Sequence, residues 1–331
     1  MRTRDQLNDD DCQWQACRDR LPLRGSSASM GYQMEEGTQE LMTSIICWNN
    51  NSEDWYPGLW AVADSRVSSD AGTMTDSLQK LFVLPVNIYQ GGATVTREHS
   101  HKILSVCYGF AGSTLIGTSV KDILALCLDN LTEMNYYDEN GDVSKSIEER
   151  MPSIEEIAKL TQKIAQKYLM AMGSNHPNNA RCEIVIFGFC KKYNDTKIYV
   201  LKNSPEQPAK ISFEEKNISG GEYVILGDRK EDVRKEIERK NIACAEEQYW
   251  KGRTPIIALQ QIIKNTSLAT IGGHAQICMA NRFVSRTMYI SDVTSEKLLL
   301  LGFDMFTDFG SLGGFSISFN PTLAIEQRLI E

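Results

Sequence analysis

The sequence predicts an α+β fold, and three observations carry the prediction. Short apolar runs of strand character begin just after residue 42, two long helical patterns follow side by side, and strands then return with further helices among them. The order is strands, two helices, strands, helix or helices, strands. Such segregation fits a layered α+β domain better than alternating βαβ units. With 331 residues, 42% hydrophobic and 24% charged, the chain can bury a sizeable core in one large domain or two ordinary ones.

Taken in order, residues 1–42 stand apart. They are Arg/Asp-rich, then carry Gly25-Ser26-Ser27-Ala28-Ser29, and show no sustained periodicity. They read as a disordered extension, a removable propeptide, or an over-long reading of the gene, with the folded domain spanning 43–331. Ile45-Ile46-Cys47-Trp48 and Leu59–Ala63 are apolar runs around a turn-rich segment, Asn49–Gly58, the signature of a hairpin with a long loop. Leu81–Leu84 and Ile103–Phe110 read as two more strands, with an exposed loop between them at Gly91-Gly92 and His99–Lys102.

Ser113–Leu131 has apolar residues at helical spacing, namely Leu115, Ile116, Val120, Ile123, Leu124, Cys127 and Leu128. Ser153 opens a second helix with Glu156 three residues on, a capping box just after Pro152. Strands are expected at Cys182–Phe189, Lys197–Leu201 and Glu222–Leu226. Glu231–Tyr249 is a highly charged helix, hence peripheral, and Thr254-Pro255 is an N-terminal signal for a helix over Ile256–Lys264. Gly272-Gly273 precedes a strand at Ala275–Ala280, and strands near Thr287–Ile290 and Leu298–Phe303 complete the order.

Composition excludes several classes. A net charge of −8 without a basic, aromatic-interleaved stripe argues against a nucleic-acid binder. No apolar run approaches the roughly 20 residues that span a bilayer. The opening MRTRDQLNDDDCQWQ is polar where a signal peptide needs an apolar stretch, so the expected compartment is the cytoplasm. Nine cysteines without a C-x-x-C pair read as reduced thiols, with Cys47, Cys107, Cys182 and Cys278 in apolar strands. His99, His101, His176 and His274 are too dispersed for a metal site, and no cofactor is expected.

The chemistry gathers at Thr43. A threonine at a free amino terminus carries a hydroxyl and an α-amine on one residue, so nucleophile and base come together. Asp64 and Lys80, sixteen residues apart in β context, could tune both groups if buried. An isolated Asp/Lys pair is usually a solvated contact worth under about 1 kcal/mol. Together with Thr43 the pair points to an N-terminal-nucleophile hydrolase. The peptide bond before Thr43 must then be absent, because an acylated nitrogen is no base. Met42 before Thr43 is a pair that a methionine aminopeptidase would process, so Met42 is the favoured start.

Thr43-Ser44-Ile45-Ile46, Ala63-Asp64-Ser65-Arg66-Val67-Ser68, Lys80-Leu81-Phe82 and Gly109-Phe110-Ala111-Gly112-Ser113 resemble, in order, defining segments of proteasome β-type subunits and their bacterial relatives. The resemblance is clearest over residues 43–131 and persists more weakly to Gly272-Gly273. It implies an αββα four-layer sandwich with two stacked sheets. Thr43 Oγ would attack the scissile carbonyl, activated by its own amine. Lys80 would place positive charge beside the developing alkoxide. Asp64 would hold Lys80 charged and oriented. The N–H of Gly112 would donate into the oxyanion hole, commonly worth roughly 3–4 kcal/mol. Ser68 would pair its backbone with an extended substrate.

The resemblance further implies a threonine peptidase acting on unfolded or extended polypeptides, assembled as a homo-oligomeric ring or spiral, with an ATPase as a possible partner. The chain also departs from the family. Asp228 follows Gly227 where a Ser is frequent, and Leu268–Gly273 lacks the carboxylate of the family's Asp-x-x-Ser-Gly-Gly segment. Asp228 reads as a turn residue or helix cap, or alternatively as a modified partner of the amine. A non-catalytic scaffold or regulatory subunit, or an amidohydrolase of small molecules, are the alternatives on the same fold.

Overall fold

A computed structural model describes residues 43–51, 56–69, 72–89, 100–132, 147–176, 180–247, 250, 252–265, 270–292, 297–317 and 322–325. The expected extension at 1–42, part of the Asn49–Gly58 loop and the loop carrying His99 lie outside these residues.

The chain opens with β1 (Ser44–Asn50) and β2 (Gly58–Ala63), an antiparallel pair with Cys47 opposite Ala61. A small ribbon, β3 (Val67–Ser69) and β4 (Gly72–Thr75), precedes the long antiparallel pair β5 (Leu81–Tyr89) and β6 (Ser100–Gly112). Then come α1 (Thr114–Asp129), β7 (Leu131–Thr132), α2 (Ile147–Arg150) and α3 (Ile154–Asn175). Strands β8 (Cys182–Cys190), β9 (Asp195–Ser204), β10 (Gln207–Glu215) and β11 (Tyr223–Gly227) follow. Helices α4 (Lys230–Ala243) and α5 (Thr254–Lys264) lead into β12 (Gln276–Ala280), β13 (Ser285–Asp292) and β14 (Lys297–Leu300). Four short strands end the described chain: β15 (Phe303–Asp304), β16 (Ser311–Leu312), β17 (Phe315–Ser316) and β18 (Thr322–Ile325).

The strands divide into an eight-stranded sheet, β11-β1-β2-β12-β13-β14-β15 with β18 beside β13, and a six-stranded sheet, β10-β9-β8-β6-β5-β7. Successive side chains of a strand point to opposite faces. In β1, Ile45 and Cys47 join Ala61, Leu81, Cys107, Val185 and Phe187 in one cluster, which draws on both sheets. Ile46 and Trp48 face the other way, into a cluster with Trp60, Ile256, Leu259 and Ile277 that α4 and α5 complete. Burial on both faces explains why this strand reads as an unbroken apolar run. A third cluster packs α1 and α3 on the six-stranded sheet through Tyr108, Phe110, Ile116, Val120, Ile157 and Ile184.

α1 approaches β6 closely, because a β-carbon on Gly117 would fall 2.1 Å from the Phe110 ring. The Ser153/Glu156 capping box forms as expected, with Glu156 N donating to Ser153 Oγ at 3.1 Å and Ser153 N to Glu156 Oε2 at 2.7 Å.

The expected α+β, four-layer αββα sandwich needs correction. The described residues are mostly β, with 44% in strands against 29% in helices, arranged in several sheets and a half-barrel. The physical reason lies in strands that sequence patterning undervalues. After α5 the described chain adds strands β12–β18 and no further helix. β10, polar enough to pass for a loop, pairs with β9 because Ile211 is buried and Phe213 packs beside it. Two smaller corrections concern helix starts. α5 has Arg253 at its cap position, one residue before the expected Thr254. α4 has Arg229 at its cap, in the left-handed region, so Asp228 is not its cap. Among the described residues no helix is long and apolar enough to cross a membrane.

Candidate active site

Thr43 immediately precedes β1, whose partners β2 and β11 fix its position. It is only 3% exposed. Its carbonyl accepts a hydrogen bond from Asp228 N at 2.8 Å. Gly227 makes that approach possible: a β-carbon there would lie 1.8 Å from Thr43 O, and its φ of +89° favours glycine. Asp228, which the sequence left as a turn residue or amine-side partner, thus meets the Thr43 main chain through its own backbone.

Asp64 follows β2 and Lys80 precedes β5, so their ion pair spans the two sheets. Lys80 Nζ lies 3.0 Å from Asp64 Oδ1, with the two side chains 1% and 0% exposed. Asp64 accepts four hydrogen bonds. Oδ1 takes Lys80 Nζ and the amide of Ser44, both at 3.0 Å, and Oδ2 takes the amides of Arg66 and Gly272, both at 3.2 Å. Ser44 N belongs to the peptide bond that Thr43 itself forms. One carboxylate oxygen therefore links the residue after Thr43 to the Lys80 ammonium. Lys80 Nζ also donates to Arg66 O at 2.6 Å. This is no solvated surface contact.

Burial dominates the electrostatics. Desolvation pushes the Asp64 carboxyl above its ordinary value, and the Lys80 charge and the amide donors only partly offset it. Desolvation likewise pushes Lys80 down, against the pull of Asp64. Four donors around one carboxyl, the Lys80 ammonium among them, work against that penalty and favour its ionised form.

Gly112 ends β6 beside Cys182 of β8, with φ +96°, and Ser113 after it caps α1. Ala111 Cβ comes within 3.4 Å of a β-carbon built on Gly227, so this end of β6 abuts the Gly227–Thr43 contact. Ser68 lies in the β3–β4 ribbon, opposite Thr73, outside the two large sheets. One side of its strand is thus taken by the protein's own chain.

Several residues of the neighbourhood carried no signal in the sequence. The buried carboxamide of Gln276 bonds the main chain around both Asp64 and Lys80. Glu183 of β8 accepts from Gly227 N at 2.8 Å and pairs with Lys230 at 2.8 Å, tying the six-stranded sheet to the Thr43 end of the other. Ser65 Oγ donates to Asp76 O and accepts from His274 N at 2.7 Å, while Arg66 grips Asp76 in a fork at 2.7 and 3.3 Å. The one available hint was a polar side chain inside an apolar strand, as for Gln276 and Glu183. No cluster of three metal-ligating side chains occurs among the described residues.

No protein-family model matches the chain, and no curated protein does. Among solved structures, Anbu (ancestral beta-subunit) from Yersinia bercovieri is similar at TM-score 0.43 and 14% identity, over 71% of this chain and 80% of that one. Anbu from Hyphomicrobium sp. strain MC1 is similar at TM-score 0.43 and 11% identity, over 74% of this chain and 84% of that one. A Gly-1 mutant of the same protein gives TM-score 0.44 at 11% identity, again over 74% and 84%. Likeness of this degree is distant.

Proposed function

We propose that the protein is a threonine-type N-terminal-nucleophile hydrolase that cleaves peptide bonds of unfolded or extended polypeptides. The observation that carries the reading is the shared Asp64 oxygen, which binds both the amide following Thr43 and the ammonium of Lys80. A network that buries two opposite charges beside a threonine is costly to build for stability alone. Beside a nucleophile it supplies fixed positive charge where an alkoxide develops.

In the proposed reaction the bond before Thr43 is absent. The freed α-amine takes the Oγ proton, Oγ attacks the scissile carbonyl, and the peptide C–N bond breaks with the proton passing to the leaving amine. Water then hydrolyses the ester on Thr43. Lys80 stabilises Oγ as it loses its proton, Asp64 holds Lys80, and Gly112 N–H binds the oxyanion. Ser68 would align the substrate strand. Residues 43–331 form the catalytic domain and residues 1–42 the part removed or never made. The active form is a homo-oligomer, in which an ATPase could deliver substrates.

The burial of Thr43, together with the residues preceding it, favours one second reading, a non-catalytic scaffold that keeps Thr43 internal. Intact-mass measurement on protein expressed from the full sequence separates the two. A chain beginning at Thr43 supports the enzyme, and one beginning at Met1 supports the scaffold. Unfolded casein assayed against small amides then separates a peptidase from an amidohydrolase.

A further inference from the structure

We propose that Gln276 is the positioning residue of this site, clamping the main chains that carry Asp64 and Lys80 through one buried carboxamide. Its geometry stands on hydrogen bonds alone, and its catalytic consequence rests on the hydrolase reading above. The Asp64–Lys80 pair joins residues from two different sheets, and a lysine side chain is long and flexible. The pair's geometry is therefore only as fixed as the main chains at its two ends.

Gln276 sits where it can fix both. It opens β12, directly beside Ala63 of β2, and so belongs to the sheet that carries Asp64. Its Oε1 accepts from Lys80 N at 2.8 Å and Leu81 N at 3.0 Å, reaching the start of β5 in the other sheet. Its Nε2 donates to Asp64 O at 2.9 Å and to Leu78 O at 3.1 Å. A primary amide has two donor hydrogens and two acceptor lone pairs. All four are used, and the side chain is 3% exposed.

The arrangement matches glutamine in one orientation only. A flipped amide would aim its hydrogens at two N–H groups and its oxygen at two carbonyls. A glutamate of the same shape would keep the acceptor but set a second oxygen against Asp64 O and Leu78 O. A leucine of similar volume would take this partner from four main-chain groups, three of them in buried bonds, which folding tolerates poorly. Asn is one methylene too short to span both sides. Gln276 touches no reacting atom; it acts through Asp64 and Lys80.

The test uses the full-length gene product, matured, with Gln276→Glu and Gln276→Leu compared against wild type and Thr43→Ala. Two quantities are read: steady-state hydrolysis of an unfolded polypeptide, and the Lys80 Cε resonance in protein labelled at lysine with carbon-13. The clamp predicts that kcat falls about 100-fold, as misplacement by an ångström does, with KM changed less than about two-fold because ground-state binding is untouched. It also predicts that the Lys80 resonance moves in both variants. A fold-only role predicts a lower melting temperature with kcat of the folded protein and the Lys80 resonance unchanged, and that result overturns the proposal.

Should neither variant fold, hydrogen exchange in the wild type decides. A Lys80 amide exchanging as slowly as that of Phe110, which bonds Lys80 O, supports the clamp, and exchange at the rate of an open chain overturns it. If Thr43→Ala retains full hydrolysis, the hydrolase reading falls, while the Lys80 resonance still reports on the clamp.

Discussion

At the scale of single residues, the two buried charges matter most. Removing one partner leaves the other desolvated, so Asp64→Asn should destabilise the protein by about 3–5 kcal/mol. Urea unfolding measures this, and a loss under about 1 kcal/mol would mean the pair is solvated. Replacing both, Asp64→Leu with Lys80→Met, should cost less than Asp64→Leu alone, since no orphan charge remains, although the amides of Ser44, Arg66 and Gly272 lose their acceptor in both. The pH dependence has a definite sign. Burial holds folded Lys80 below its ordinary 10.5, so across that window the unfolded chain binds the extra proton. Stability then rises as pH climbs from the folded Lys80 value toward 10.5. Lys80→Met should flatten that rise in a series of unfolding curves. Thr43, Asp64 and Lys80 could be singled out in the sequence because a hydroxyl, a carboxylate and an ammonium carry recognisable chemistry, whereas Gly112 was reached only through the resemblance to proteasome β-type subunits. Gln276 and Glu183 could not, because their partners lie 196 and 44 residues away and are brought close only by sheet packing.

At the scale of elements, local chemistry decided what could be read. The Ser153 capping box marks the start of α3 unambiguously, and Ser153→Ala should cost about 1 kcal/mol. α1 was equally plain from its apolar period, yet its distance from β6 was not. Gly117→Ala shows the difference. Alanine is worth about 1 kcal/mol more than glycine in a helix interior, but the added carbon meets the buried Phe110 ring at 2.1 Å. Overpacking of about 1–3 kcal/mol should win, and a higher melting temperature for Gly117→Ala would contradict the packing. β10 escaped notice because an edge strand with one buried row shows only Ile211 and Phe213 among polar neighbours. The cap of α4 escaped because Arg229 is in the left-handed region and uses no side-chain cap.

At the scale of the whole molecule, apolar clustering places Cys47, Cys107 and Cys278 together in the core that both sheets share. Burial pushes the thiols of Cys47 and Cys107 well up, so they are neither reachable nor ionised at neutral pH. They should resist alkylation until global unfolding, as read by mass spectrometry of peptides after timed labelling. Labelling in the native state would contradict a packed inter-sheet core. The order of strands and helices was legible here because apolar runs and turn residues alternate clearly. The balance of layers was not, since the strands after β13 are only two to four residues long, too short to show an alternating apolar pattern.

The most direct measurement is turnover of an unfolded polypeptide by matured protein whose first residue is verified as Thr43, set against Thr43→Ala prepared to the same N-terminal boundary. The account predicts that hydrolysis falls by about 1,000-fold or more when the hydroxyl is removed. Equal turnover by the two proteins would contradict it.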